Sequence, residues 1–414
     1  MTFAADRRAF LKSVAALVAA GALPRAALAQ TANINYWHHF SSQVEFAGLD
    51  AVMKAFAAKH PAVKVTQENI PNPEFMAKVT AAVAADSKPD TSQVTAERVA
   101  DLTAMGALVD LTDRVNGWSG KTDYPDDRWK GVTRDGKIYG IPSFAFVDWM
   151  YYRRDWFEEA GISAPKTFAE FLEAAKKLTD ASKNRYGFGL RGGAGGQKYI
   201  IDVMEAFGAP LVKDGHIGLD KAPAVEAIKF YAGLFTEHKV APPSAPNDGY
   251  RQIVEAFSTG QTAMLWHHTG SIKDIEKALK PGEQFATATM PAGPSARIAR
   301  LAYAYNGLMK ETNADAAWSW VSFWAEADAA LAFLQATGYF PASAKLAQHA
   351  AITGNPIYAP AAEVLGYGQL PPSFPGLAGW SEGVALPAFQ RVLIGQATAE
   401  EAVDEMIAGL EEAK

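Results

Sequence analysis

The 414-residue chain contains no cysteine. Disulfides, iron–sulfur clusters, thiol catalysis and cysteine-ligated zinc are therefore excluded, as is a lipidated cysteine behind an export signal. Basic residues form no block: 39 Lys and Arg are scattered against 45 Asp and Glu, for a formal net charge of −6. An acidic balance of this kind argues against nucleic acid or an anionic membrane as partner. No run of 18 uninterrupted apolar residues occurs, short of the roughly 20 that span a bilayer. The chain also lacks a Gly-x-Ser-x-Gly elbow, a His-Glu-x-x-His pair and a Gly-x-Gly-x-x-Gly opening a helix, so common hydrolase, metalloprotease and dinucleotide signatures are missing. Internal repeats and low-complexity segments are absent too.

What is present describes a globular chain, with 49% hydrophobic and 20% charged residues. Its length exceeds the roughly 100–200 residues of one domain and predicts two units sharing a cleft. The N-terminus departs from this pattern. Arg7-Arg8-Ala9-Phe10-Leu11-Lys12 precedes an apolar run from Val14 to Leu23, and Ala27-Leu28-Ala29 offers a small-x-small cleavage site. This resembles a twin-arginine export signal over residues 1–29, with Gln30 as the mature start and a periplasmic destination. Those residues carry Arg7, Arg8, Lys12 and Arg25 against Asp6, so their removal takes the net charge from −6 to −9.

Strand–helix–strand alternation opens the remainder: Asn33 to Trp37 reads as a strand, Leu49, Val52, Met53 and Phe56 recur at helix spacing, and Val63 to Gln67 reads as the next strand. A helix over Phe75 to Ala85 and a strand over Thr91 to Thr95 follow, giving a parallel α/β start. From Gly136 the chain becomes extended and aromatic through Tyr152, which reads as a crossover into a second lobe. Thr167 and Glu170 predict a capping box, with Phe168, Phe171, Leu172, Ala175 and Leu178 as the apolar stripe behind it. Tyr186 to Leu190, Ala263 to His267, Phe285 to Met290 and Leu301 to Leu308 are further candidate strands. Ala317, Trp320, Val321 and Trp324 share one helix face and belong to a core.

Several landmarks occur in order: Tyr36-Trp37-His38, Lys88-Pro89-Asp90, Gly140-Ile141-Pro142 leading to Tyr151-Tyr152, Phe257 to Met264, Gly338-Tyr339-Phe340-Pro341 and Trp380. Together they resemble the family 1 extracellular solute-binding proteins of ABC sugar importers, which include the maltose-binding proteins, over essentially the whole chain after the signal. The resemblance implies a two-lobed periplasmic binding protein fold of the α/β class, with hinge crossovers and a central ligand cleft. It places the first lobe at 30–141 plus 291–340 and the second at 142–290 plus 341–414. It also implies a monomer without cofactor or metal, which closes over a carbohydrate and delivers it to the transmembrane subunits of an ABC permease. One departure is Arg153-Arg154, where many members carry Asn-Lys.

A neutral sugar presents C–H faces and a rim of hydroxyls, so its site needs aromatic platforms and hydrogen-bonding side chains. Ligands of open α/β sheets sit beyond the carboxyl ends of strands, which points to His38, His39, Phe40 and Ser41. The resemblance adds Glu97 and Arg98. In the crossover, Phe146, Asp148 and Trp149 combine a carboxylate with an indole. The glycine-rich run from Arg191 to Gln197 could cradle phosphate but lacks the ending of a P-loop; the resemblance makes it a sugar-facing loop with Arg191, Gln197 and Tyr199. Trp266, His267 and His268 run into Gly270, and strand alternation lets one residue of each adjacent pair face the cleft. Tyr303, Tyr305 and Asn306 lie on another extended segment. Trp380, in a Gly/Pro-rich loop, is expected to be the main stacking platform.

Two other functions compete. A glycosidase would need two carboxylates about 5–10 Å apart, for which Glu97 and Asp148 are the candidates. A metal-binding protein would use His38-His39 with His267-His268. Within solute binding, Arg98 and Arg191 facing the cleft together would favour an acidic sugar over a neutral sugar or polyol.

Overall fold

The computed structural model describes residues 32–71, 74–372, 374 and 376–412. The expected signal at 1–29 and its cleavage point before Gln30 lie outside the described residues, and so does the side chain of Glu97.

Nine strands make one curled sheet: β1 (Ala32–His38), β2 (Val63–Asn69), β3 (Thr91–Thr95), β4 (Ile141–Tyr152), β5 (Tyr186–Phe188), β6 (Thr262–His268), β7 (Ala286–Ala288), β8 (Leu301–Leu308) and β9 (Phe340–Pro341). Their spatial order is β2-β1-β3-β8-β4-β6-β5, with β7 and β9 also paired to β4. β1 runs parallel to β2 and β3. Parallel neighbours need a crossover, supplied here by helices α1 (Gln43–Lys59) and α2 (Phe75–Ala84). β4 changes partner along its length. Ile141 to Val147 pairs with β8, and Asp148 to Tyr152 pairs with β6. One strand thus serves both halves of a two-lobed α/β molecule.

Each half has its own aromatic core. Helix α3 (Phe168–Leu178) lays Phe168 and Phe171 on Trp266, with ring centroids 5.6 and 4.8 Å away. Thr167 caps this helix by accepting the Glu170 N–H, while the Glu170 carboxylate accepts from Lys166 N–H, so the expected box closes one residue upstream. Further along the chain, helices α4 (Gln197–Ala206), α5 (Lys221–Thr236) and α6 (Tyr250–Ser258) precede α7 (Ala314–Phe323) and α8 (Ala327–Thr337). Of these, α7 and α8 cover the β1 half. There Trp320 meets Tyr36 and Phe56 edge-on at 5.3 and 5.1 Å. Ala317, Trp320, Val321 and Trp324 are all buried, as their spacing predicts.

Polar side chains tie the strands together where they are buried. The Tyr36 hydroxyl donates to Asn306 Oδ1 (2.9 Å), and Asn306 Nδ2 donates to Ser143 Oγ (2.8 Å), linking β1, β8 and β4. Arg300 fastens the segment entering β8. Its Nε donates to Asp202 Oδ1 (2.6 Å), it pairs with Glu205, and its Nη1 donates to the Leu370 carbonyl (3.3 Å). Its own carbonyl accepts the Asp148 N–H at 3.0 Å, so three separate chain segments meet at this one residue. Arg153 is accounted for by packing: it holds Asp155 (2.8 Å) and stacks on Trp156, whose ring also carries Arg185.

Candidate functional site

A cavity of about 700 Å³ opens beyond the carboxyl ends of β1 and β6. Ser41, Ser42 and Glu45 line it from the β1 half; Tyr250, His268 and Gly270 line it from the β6 half. Phe146 and Tyr339 form the wall between them.

The segment after β1 is shaped by a capping box that needs both Ser42 and Glu45. Glu45 N–H donates to Ser42 Oγ (3.2 Å), while Glu45 Oε2 accepts from Ser42 N–H (3.0 Å) and Ser41 N–H (2.9 Å). Such a cap contributes about 1 kcal/mol to the helix and leaves Oε1 free to point elsewhere. Oε1 accepts from the Tyr339 hydroxyl at 3.2 Å.

On the opposite wall, His268 Nδ1 accepts the Gly270 N–H at 3.1 Å. Nδ1 is therefore unprotonated, and in the neutral ring the proton sits on Nε2 as a donor. Burial, then the nearby Lys198 and Arg191 charges, push its pKa down to about 3, so the ring is uncharged near neutrality. Its neighbour His267 points into the core, with Nδ1 2.8 Å from Ser271 Oγ. Ser271 in turn donates to the Tyr250 hydroxyl (3.2 Å), leaving the phenolic proton for another acceptor. Phe146 presents an aromatic face, set perpendicular to His268 at 5.5 Å. Glu45, Glu255 and Asp274 outnumber Arg251 on the cavity wall, a formal excess of two negative charges.

The family model for bacterial extracellular solute-binding proteins matches residues 40–331. The chain belongs to this family. A Brucella abortus binding protein is 26% identical over 363 residues, spanning 84% of this chain and 85% of that one. A lactose-binding protein of Rhizobium radiobacter is 24% identical over 279 residues, 64% of each chain. Among solved structures, an ABC transporter solute-binding protein of Thermotoga lettingae bound with α-D-tagatose superposes with a TM-score of 0.78 at 21% identity. That superposition covers 92% of this chain and 99% of the other.

In this solute-binding protein the cavity gathers four of the residues expected from sequence: Ser41, Phe146, His268 and Gly270. The other expected positions lie elsewhere. His38 is buried, with Nε2 2.8 Å from Gln67 Oε1, and Phe40 packs between Phe144 and Phe333. His39 lies edge-on to Phe75, over which Arg98 is also placed. Burial and the Arg98 charge bring the His39 pKa down to about 4.

The expected tryptophan platforms face away from the cavity. Trp149 is fully enclosed between Tyr151 and Phe340. Trp266 sits in the core of the second half, and Trp380 is 2% exposed with Nε1 donating to the Met406 carbonyl (2.8 Å). Tyr199 donates its hydroxyl to the Trp266 carbonyl (2.9 Å). Tyr303 lies under the Arg128 guanidinium, and Tyr305 donates to the Arg128 carbonyl (3.3 Å). An indole or phenol on a strand covered on both faces has no wet side to present.

Asp148 pairs with Lys198, which also reaches Asp202 (3.2 Å). Burial raises the Asp148 pKa despite the lysine; at Asp202 burial is overcome by Lys198 and Arg300, and the pKa falls. Gln197 Nε2 approaches Glu382 at 3.5 Å. Arg191 Nε donates to the Ala194 carbonyl (2.8 Å), folding the guanidinium back on its own loop. A Gly187-x-Gly189-x-x-Gly192 spacing does occur here, but Gly187 lies in β5 against the Ala175 backbone and α4 begins only at Gln197. Its amides frame no helix N-terminus for phosphate. Tyr250, Tyr339 and Glu45 were not singled out from sequence as site residues, although Tyr339 stands in the Gly-Tyr-Phe-Pro landmark and Ser42-x-x-Glu45 is a readable capping box.

Proposed function

We propose that this solute-binding protein holds a neutral sugar or polyol in the cavity and closes its lobes over it. The observation that carries the reading is the wall composition: aromatic faces at Phe146, Tyr250 and Tyr339 beside an uncharged His268 donor and the Glu45 and Ser41 acceptors. Ring C–H groups and hydroxyls match such a wall. The excess negative charge, with Arg98 and Arg191 engaged elsewhere, disfavours a uronate. A relative named for lactose and a structural neighbour bound with tagatose support a carbohydrate.

We place the lobe boundary in β4 between Val147 and Asp148, with the other passages between Ala288 and Leu301 and after Pro341. A solute that touches both lobes binds the closed form better and shifts the population toward it. The closed form then meets an ABC permease at the membrane, after export by the twin-arginine route to the periplasm. A panel of lactose, maltose, D-tagatose, D-mannitol and D-glucuronate, read by thermal shift on the chain from Gln30, tests this. A ligand at 100 times its Kd adds about 2.7 kcal/mol, several degrees for lobes of this size. A shift with a neutral member is expected; glucuronate alone would overturn the neutral assignment, and silence throughout would count against sugar binding.

A further inference from the structure

Gly270 has an unusual neighbour. A Cβ built on it would stand 2.0 Å from Tyr339 Cε1, closer than any real side chain allows. The contact is repeated one residue earlier, where a Cβ on Gly338 would lie 2.2 Å from Ile272 Cγ2. Gly270 follows β6, whereas Tyr339 follows α8, which packs along α1 in the other half. The two halves therefore touch directly beneath the cavity, and a missing side chain on one side makes room for a phenol on the other.

That phenol is held firmly in the β1 half. Its ring stacks on Phe144 at 5.4 Å with only 8° between the planes, and Phe146 lies 4.6 Å away. Its hydroxyl donates to Glu45 Oε1, the oxygen that the capping box does not use. The other lobe bears on the ring through Gly270 and the adjacent His268.

We infer that Tyr339 is a specificity-determining residue. Anchored to Glu45 in one lobe and abutting Gly270 in the other, it forms the cavity floor on which the lobes close, and it transmits the presence of solute to that closure. This rests on the solute-binding reading. The Tyr339 ring sets the depth to which a solute can enter, and its hydroxyl orients the Glu45 carboxylate toward a solute hydroxyl. A side chain at 270 would evict the ring, so the two positions act as a pair.

The test uses isothermal titration with whichever neutral sugar of the panel shifts the wild-type chain most, on Tyr339→Phe, Tyr339→Ala, Gly270→Ala and the Tyr339→Ala/Gly270→Ala double variant. Tyr339→Phe should weaken binding about tenfold while the chain stays folded, since the ring's packing is kept and one part-buried hydrogen bond to a carboxylate is lost. Tyr339→Ala and Gly270→Ala should each weaken it further, and the double variant should bind no worse than Tyr339→Ala alone. Wild-type affinity in Tyr339→Phe and Tyr339→Ala, with binding lost in His268→Ala, would overturn the inference and leave the solute-binding reading intact. Additive losses in the double variant would overturn the pairing, and a wild-type chain that binds no sugar removes the reading and the inference together.

Discussion

His268 illustrates how a single backbone contact sets the chemistry of a side chain. Because the Gly270 N–H occupies Nδ1, the ring offers one donor at Nε2 and no charge, and burial keeps it so down to a pKa of about 3. His39 is neutral for a similar reason, with a pKa of about 4. A histidine whose folded pKa lies below its unfolded value of about 6.5 binds more protons when unfolded, so stability rises with pH through that window and is lost as pH falls below it. Each such ring should subtract about 2 kcal/mol between pH 7 and pH 5. Denaturant unfolding at those two pH values checks this: His268→Gln should reduce the drop, and an unchanged drop would mean the ring is charged in the fold. Sugar affinity, measured over the same range, should stay flat as far as these two rings are concerned.

At the scale of elements, strand ends could be read from sequence but the facing of large aromatics could not. The expected strands over Thr91–Thr95 and Leu301–Leu308 are both present, as β3 and β8. Of the two histidine pairs, His268 lines the cavity while His267 turns to Ser271, and neither His38 nor His39 lines it. Trp149, Trp266 and Trp380, expected at the site from their strand or loop positions and the family resemblance, are all core residues. A strand alternates its side chains, yet whether the second face is wet depends on which helices cover it, and that is a tertiary fact. Trp380 belongs to the packing under helix α9 (Ala399–Glu412), joined to it through the Met406 carbonyl. Trp380→Ala should cost about 3–5 kcal/mol of stability. Chemical denaturation should show that loss, while the fraction still folded binds sugar within a few-fold of wild type. A selective loss of affinity at full stability would return Trp380 to the site.

For the molecule as a whole, β4 and Arg300 explain how two lobes remain one protein. The strand is shared between both halves of the sheet, and the guanidinium gathers Asp202, Glu205 and the Leu370 carbonyl beside the same crossover. On the proposed closure, motion would be confined to a few backbone positions near Val147 and Asp148, and the cavity it would open and close is the one lined by Ser41, Phe146, His268 and Gly270. The length of the chain and its ordered landmarks made this architecture legible. The cavity floor was not, because Gly270 and Tyr339 are 69 positions apart and only the fold shows that one makes room for the other. The most direct test is a crystal structure with the neutral sugar that stabilises the chain most. The solute should lie between His268 Nε2 and Glu45 Oε1, with its ring or chain against Phe146 and Tyr339. Solute density away from these residues, beside Trp380 or the Arg191 loop, would contradict the account.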